Sequence, residues 1–463
     1  MGPAVTAPRS DALVFFGATG DLAYKKVFPA LQSLVARGLL DGPIVGVSRG
    51  GWTLERLRER ARESVEANGG ADPVALPRLL AQLGYVEGDY GSPGTFSALR
   101  RELGNAERPL HYMAIPQDMF EVVVRGIAES GCGRGARLVL EKPFGRDLAS
   151  ARRLSEALHL QFKEQDVFRI DHYLGKEAVQ NLVYFRFANT FLEPIWNRRY
   201  VESVQITFAE RIGIEGRGAF YDRAGAIRDV VQNHVLQVIS NVGMEPPPGS
   251  HDTETLRDEK VKVLKAMAPP DPAQVVRGQY DGYLGEKGVE RGSTTETFAA
   301  MELAVNTWRW EGVPFYLRAG KRLAQNRTEV IARLRRPPPV TGVGFAPNLV
   351  RFRLGPEFVI GLAANVREPG GDPHELELIA AHDHDGADPN PYAELLGDAL
   401  RGETYRFARQ DYVEEAWRIL DPVVADGGRP APYEPGSWGP ERSEQLVPGG
   451  WVEPPPFKNG AAR

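Results

Sequence analysis

Residues 12–22 read ALVFFGATGDL: an apolar run from Ala12 to Phe16, halted by Gly17 and followed by Ala18-Thr19-Gly20-Asp21-Leu22. A run this short and this apolar reads as a strand covered on both faces. The helical spacing that takes over at Leu22 and lasts to about Ala36 makes it the first half of a strand–turn–helix unit. The pattern then repeats. Ile44 to Val47 precedes a helical stretch from Leu54 to Val65; Leu110 to Ile115 stops at Pro116 before a helical Phe120 to Ile127; Leu138 to Leu140 stops at Glu141. Short apolar runs alternating with amphipathic helices predict parallel strands joined by crossover helices, a doubly wound α/β domain. Such sheets bind ligands at the carboxyl ends of their strands, and Gly17, Arg49, Pro116 and Lys142 all fall just past such ends.

Further along, the period changes from helical to two. Val204, Ile206 and Phe208 alternate with polar neighbours, as do Val350, Phe352 and Leu354, then Phe358, Ile360 and Leu362. These runs predict an antiparallel sheet with one covered face. The proline clusters at 246–248, 269–272 and 337–339 read as loops, since regular patterns resume directly after each. The Pro- and Gly-rich last thirty residues are expected to run over the surface or fray.

The 463 residues are too many for one ordinary core, so at least two domains are expected. A net charge of -5 argues against a general nucleic-acid surface, while leaving room for a local basic pocket. The single cysteine, Cys132, leaves no internal disulfide, which fits a reducing compartment. Nothing in the first thirty residues has the pattern of a signal peptide, and no uncharged apolar stretch is long enough to span a bilayer. A soluble, cytoplasmic protein without nucleic-acid or membrane partners is the expectation.

At Gly17-Ala18-Thr19-Gly20-Asp21-Leu22, glycines allow a tight turn and bring backbone N–H groups and a helix N-terminus towards a pyrophosphate. The segment departs from G-x-G-x-x-G, so an ordinary strand-to-helix turn is the competing reading. The second strand ends Val47-Ser48-Arg49. An acid there would hold the ribose 2′-hydroxyl of NAD; a guanidinium beside a hydroxyl suits a 2′-phosphate instead. That favours NADP, with tolerance for NAD left open, against the bland alternative of a solvated loop arginine.

Arg169-Ile170-Asp171-His172-Tyr173-Leu174-Gly175-Lys176-Glu177 is the most informative segment. An apolar approach delivers Asp171 and His172, Gly175 permits a turn, and helical spacing starts near Lys176. Lys176 in a first helical turn, with His172 close by, would add its charge to the positive end of the dipole and form a phosphate site. Plain capping by Asp171 is the alternative. Asp222 to Val242 reads as another helix. At 100° per residue His234 falls in the arc of Ile227, Val230, Val231, Val235, Val238 and Ile239, with Asp229 and Asn233 towards the other side. His234 is therefore either a core histidine or a general base whose tautomer a carboxylate fixes. Glu210 continues the inward phase of Val204, Ile206 and Phe208, a costly place for a carboxylate unless sugar hydroxyls or a cation meet it. Lys321, after Gly320, reads as a second phosphate ligand or a surface lysine. His382-Asp383-His384-Asp385 lacks further ligands nearby and reads as a solvated loop, not a metal site.

Taken together, Gly17 to Ala23, Glu141-Lys142-Pro143-Phe144-Gly145, Asp171 to Glu177, Phe187-Ala188-Asn189 with Pro194-Ile195-Trp196, and Arg228 to His234 resemble the glucose-6-phosphate dehydrogenase family in order and spacing. The resemblance implies a Rossmann-like NADP-binding domain over residues 1–170 and a large α+β substrate-binding domain over 171–463, whose antiparallel sheet forms the interface of a homodimer or homotetramer. It implies oxidation of β-D-glucose 6-phosphate at C1 to 6-phosphogluconolactone, with hydride passing to NADP. His234 becomes the general base and Asp171 its orienting carboxylate. His172, Tyr173 and Lys176 become phosphate ligands, Glu210, Asp229 and Lys321 sugar ligands, and Lys26 and Lys142 line the cleft. Gly17, Thr19, Gly20, Asp21, Leu22, Ser48, Arg49, Tyr90 and Lys142 match the cofactor positions. No metal is implied. Two departures stand out: Tyr24 where a lysine is frequent, and Asn326, followed by Arg327, where a second basic residue after Lys321 is frequent. The alternatives are a sugar oxidoreductase that takes an unphosphorylated sugar through a Glu-Lys-Pro lysine, and a catalytically silent NADP-binding paralogue. The Asp171 to Lys176 segment and the retained Asp171 and His234 speak against both.

Overall fold

The computed structural model describes residues 8–249, 253–340, 342–367, 369, 371–381 and 390–453. Six strands, β1 (Ala12–Phe16), β2 (Ile44–Ser48), β3 (Leu83–Glu87), β4 (Pro109–Met113), β5 (Arg137–Glu141) and β6 (Val167–Ile170), form one sheet in the order β3-β2-β1-β4-β5-β6. Every neighbouring pair is parallel. This is the doubly wound order, in which the direction of winding reverses between β1 and β4 and a crevice opens past their carboxyl ends. Every residue of β1, β2 and β4 is buried, as their unbroken apolar runs require of strands covered on both faces. The crossover helices start where capping chemistry allows: Thr53 accepts the Arg56 N–H ahead of Leu54–Ala67, and Asp147 and Ser150 cap each other ahead of Leu148–His159. The first helix departs from simple α spacing. It opens with a π-helical turn at Ala23–Val27 and becomes α-helical at Phe28–Ala36.

The chain divides into two compact units, the first comprising Met1–Gln180, Glu245–Lys262 and His384–Trp417 and the second the remainder. No local pattern shows that the two late segments belong to the first unit. The helix Pro391–Arg401 gives Leu395, Leu396, Ala399 and Leu400 to the core that holds Leu13, Phe15, Phe28 and Leu31. Each leucine buried this way contributes about 1.5–3 kcal/mol.

The second unit is built on nine strands: β7 (Val201–Ala209), β8 (Val276–Tyr280), β9 (Phe298–Ala304), β10 (Pro314–Gly320), β11 (Arg327–Leu334), β12 (Leu349–Gly355), β13 (Val359–Val366), β14 (His374–Ala381) and β15 (Ala431–Tyr433). Their order is β14-β13-β12-β11-β7-β10-β9-β8-β15. The sheet is mostly antiparallel, but β7 and β10 run parallel, as do β8 and β15. The expected α/β plus α+β architecture is present, with a mixed second sheet.

Two expectations fail here for one reason. The alternation along β7 predicts one covered face, yet its polar positions Ser203, Gln205 and Thr207 are buried too. What covers them is the described part of the C-terminal stretch, which was expected to run over the surface or fray: Tyr433, Val447 and Trp451 are buried, and the Gln205 side chain accepts the Val452 N–H at 2.8 Å. Arg318 reaches Thr207 at 3.1 Å and stacks between Trp438 and Trp451, 4.2 and 4.4 Å from their ring centres. A polar strand face can be buried when its groups find partners, and alternation alone does not reveal that.

Candidate active site

The glycine turn after β1 is held from three sides. Gly17 has φ +83°, and a β-carbon there would lie 2.2 Å from the Ala114 carbonyl oxygen at the end of β4, so no larger residue fits. Its N–H donates to the Val47 carbonyl at 2.9 Å and to the Tyr90 hydroxyl at 3.0 Å. The Gly17 amide is thus engaged within the turn. The amides of Thr19, Gly20, Asp21 and Leu22 lead into the helix, where the first N–H groups lack intrahelical partners. Gly20 closes the turn on the Gly17 carbonyl at 2.9 Å. Lys26 is exposed within the π-helical turn, and Tyr24 faces the Arg60 guanidinium at 4.7 Å.

At the end of β2 the Ser48 hydroxyl meets that of Tyr85 at 3.0 Å. Arg49 projects into solvent with its guanidinium 3.8 Å from the Asp89 carboxylate. Glu87, at the end of β3, accepts the Gly51 N–H at 2.6 Å. Neither acid was among the sequence candidates, because they belong to a different strand from the one that carries Arg49.

Past β5, Lys142 is half-buried and its peptide with Pro143 is cis. The preceding Glu141 accepts a 2.6 Å hydrogen bond from the fully buried Tyr112 hydroxyl and another from Tyr392. Part of the Glu141 side chain reaches the surface, yet its carboxyl is packed in protein. Burial pushes its pKa up to about 7, against the opposing pull of Tyr112, Lys142 and Tyr392. Sequence reading missed this cluster, since Tyr112 and Tyr392 lie on unrelated segments.

The turn after β6 builds its own scaffold. The Asp171 carboxylate accepts the Tyr173 N–H at 3.0 Å, and the amides of Leu174, Gly175 and Lys176 return to the carbonyls of Asp171, His172 and Tyr173. Lys176 immediately precedes the helix Glu177–Ala188, and its ammonium lies 3.8 Å from the centre of the Tyr173 ring. The His172 and Tyr173 rings are 5.2 Å apart. Gly175 is needed for a reason other than turn freedom: a β-carbon would lie 2.9 Å from Leu395. Asp171 is buried and shares its surroundings with Lys260, a buried lysine on Glu254–Lys265. Burial draws the Lys260 ammonium down to about 8, Arg257 adds to this, and Asp171 opposes it. Lys260 was also absent from the sequence candidates.

In the second unit, Glu210 and Lys321 form an ion pair. Topology explains the pairing: β7 and β10 are parallel neighbours with Ala209 opposite Gly320, so the next residues of both strands emerge side by side. Asn326 accepts the Arg211 N–H at 2.7 Å and secures the segment after Glu210. Arg327 is buried against Gln325 and Glu329 and does not stand in for a basic ligand.

His234 and Asn233 are both buried, in a segment, Ile227–Val235, that is π-helical. The 100° spacing therefore misplaces Asp229. It sets Asp229 about 140° from His234, whereas in i→i+5 geometry residues five apart stack along the helix. The Asn233 side-chain amide also reaches back along this segment, donating to the Arg228 carbonyl at 3.1 Å. Gly225, with φ +68°, kinks the chain into this segment, and Glu296 accepts the Ile227 N–H at 3.0 Å. The tetrad 382–385 lies outside the described residues.

A parallel sheet with a glycine turn at its switch point and a guanidinium just past β2 has the form of a nicotinamide-nucleotide-binding domain. Comparison with known proteins narrows the class. Residues 14–181 match the model described as "Glucose-6-phosphate dehydrogenase, NAD binding domain", and residues 183–450 match "Glucose-6-phosphate dehydrogenase, C-terminal domain". The chain belongs to the glucose-6-phosphate dehydrogenase family. Glucose-6-phosphate 1-dehydrogenase 1 of Mycobacterium bovis is 42% identical, with 96% of this chain and 97% of the relative covered. The crystal structure of glucose-6-phosphate 1-dehydrogenase from Mycobacterium avium superposes with a TM-score of 0.91 at 41% identity, covering 97% of this chain and 100% of that one. A glucose-6-phosphate dehydrogenase in complex with its substrate glucose-6-phosphate superposes at 0.89, 35% identical over 97% of this chain and 100% of that one.

Proposed function

We infer that the chain oxidises β-D-glucose 6-phosphate at C1 to 6-phosphogluconolactone with NADP as acceptor. The observation that carries this reading is the turn Asp171–Lys176, where a carboxylate, an imidazole and an ammonium seated on a tyrosine ring are fixed within six residues. Family membership supports it across both units.

The residues past β1 and β2 fit a dinucleotide: the glycine turn opens onto a helix N-terminus, and Arg49 has the fork for a 2′-phosphate. Bound NADP supplies the hydride acceptor at its nicotinamide ring. In this reading the protein's part is proton removal and orientation. His234 takes the proton of the C1 hydroxyl, and Asp171 fixes the imidazole tautomer and stabilises the imidazolium. His172, Tyr173 and Lys176 hold the phosphate, whose charge sits near the N-terminus of Glu177–Ala188. Glu210, Asp229 and Lys321 take the sugar hydroxyls, the Glu210–Lys321 pair opening to do so, while Lys26 and Lys142 line the cleft. The test is NADP reduction, followed by absorbance, across glucose 6-phosphate, glucose and other sugar phosphates. Turnover of glucose equal to that of its 6-phosphate would overturn the reading.

We also propose a symmetric oligomer, a homodimer or a tetramer of such dimers, closed through the second sheet. On the edge strand β14, Leu376, Leu378 and Ile379 are 47, 58 and 50% exposed, a hydrophobic edge unsuited to water. Leu362 and Ala364 of β13 pair with Leu378 and Leu376 on the same face. Among the described residues no helix is long and apolar enough to cross a membrane; a cytoplasmic location is part of the proposal. Sedimentation of Leu378→Asp tests the interface: an unchanged mass would remove it.

A further inference from the structure

In a doubly wound sheet the residue that discriminates NAD from NADP usually stands at the end of β2, where an acid accepts the ribose hydroxyls. Here that position is Arg49, but an acid arrives from the neighbouring strand. β3 lies parallel to β2 with Ser48 opposite Glu87, and the Gly88 N–H continues the pairing by donating to the Ser48 carbonyl at 3.1 Å. The next residues cross the ends of β2 and β1, because the Tyr90 hydroxyl donates to Val47 at 3.2 Å and accepts from Gly17. Asp89 is therefore held beside Arg49, the two charged groups 3.8 Å apart and their side chains 63 and 74% exposed.

We propose that Asp89 is a specificity-determining residue for the nicotinamide cofactor, supplying from β3 the ribose-binding carboxylate that β2 lacks. With NAD, Asp89 accepts the 2′-hydroxyl while remaining paired with Arg49. With NADP, the 2′-phosphate takes the Arg49 fork, and Asp89 must give way to a second anion in the same place. The two residues thus oppose each other across one ribose, and the enzyme uses both cofactors. The proposal rests on Arg49 as the 2′-phosphate ligand.

The test is steady-state kinetics of Asp89→Asn, Arg49→Ala and the double variant with NADP and NAD at saturating glucose 6-phosphate. The expected result for Asp89→Asn is a rise of about tenfold in the NADP-to-NAD ratio of kcat/KM. That is the change given by about 1.4 kcal/mol, the scale of two solvent-exposed charges about 4 Å apart in water. The change should lie in KM for the cofactor, with Tm unchanged because the side chain is exposed. Arg49→Ala should lower the ratio. An unaltered ratio in Asp89→Asn beside a selective loss in Arg49→Ala overturns the role of Asp89 alone. Equal losses with both cofactors in Arg49→Ala overturn the underlying 2′-phosphate assignment.

Discussion

The Tyr90 hydroxyl accepts the Gly17 N–H at 3.0 Å, tying the loop after β3 to the glycine turn after β1. It also donates to Val47, so one buried hydroxyl joins the ends of three neighbouring strands. Tyr90→Phe keeps the ring packing and removes both bonds. The expected cost is about 1 kcal/mol in thermal or urea unfolding, with a higher KM for NADP and an unchanged KM for glucose 6-phosphate. A variant that weakens sugar binding equally would contradict a role confined to the cofactor turn.

For His234, removal of the general base should slow turnover by about 10²–10⁴ in His234→Asn, with little change in substrate KM. Stopped-flow or steady-state measurement of kcat decides this. Full activity in the variant would exclude proton removal by this residue.

Glu141 predicts a specific pH dependence. Its folded pKa, raised by burial to about 7, lies above its ordinary value near 4.5. Between those values the folded state binds more protons than the unfolded one, so its contribution to stability is fully present below about pH 4.5 and is lost as pH rises towards 7. Glu141→Gln removes that slope. The Tm difference between pH 5 and pH 8 should shrink in the variant, by an amount on the order of 2 kcal/mol in stability. An unchanged difference would show that this carboxyl titrates normally.

Gly175 offers a steric test. An added methyl at Gly175→Ala meets Leu395 at 2.9 Å and the Pro391 carbonyl at 3.2 Å. Overpacking of this kind costs about 1–3 kcal/mol. Because the turn also carries Lys176, KM for glucose 6-phosphate should rise. Gly175→Ala combined with Leu395→Ala should recover part of the loss, which a simple loss of backbone freedom would not allow.

Four strands of the first sheet, β1, β2, β4 and β5, were readable in advance because each is encoded locally, whereas β3 (Leu83–Glu87), with only two of its residues buried, was not. Phe16 ends a five-residue apolar run, Gly17 stops it, and helical spacing follows within the same short window. The Asp171–Lys176 turn was readable for the same reason, since its hydrogen bonds close within its own residues. His234 was only half legible. Its place in a buried arc followed from periodicity, but π-helical winding alters the angle between successive side chains, so a spacing of about 100° does not fix where Asp229 stands.

What the chain's own order of residues determined, then, is the strand–helix alternation, the glycine turn, the guanidinium after β2 and the compact phosphate turn, because backbone geometry imposes their periods over a few residues. What only the tertiary structure decided is which distant groups meet: Tyr392 on Glu141, Asp89 beside Arg49, Lys321 on Glu210, and Trp451 over the polar face of β7. Those meetings depend on strand order and on segments that return late in the chain. A hydrogen bond or ion pair carries no mark in sequence of the partner that topology will bring to it.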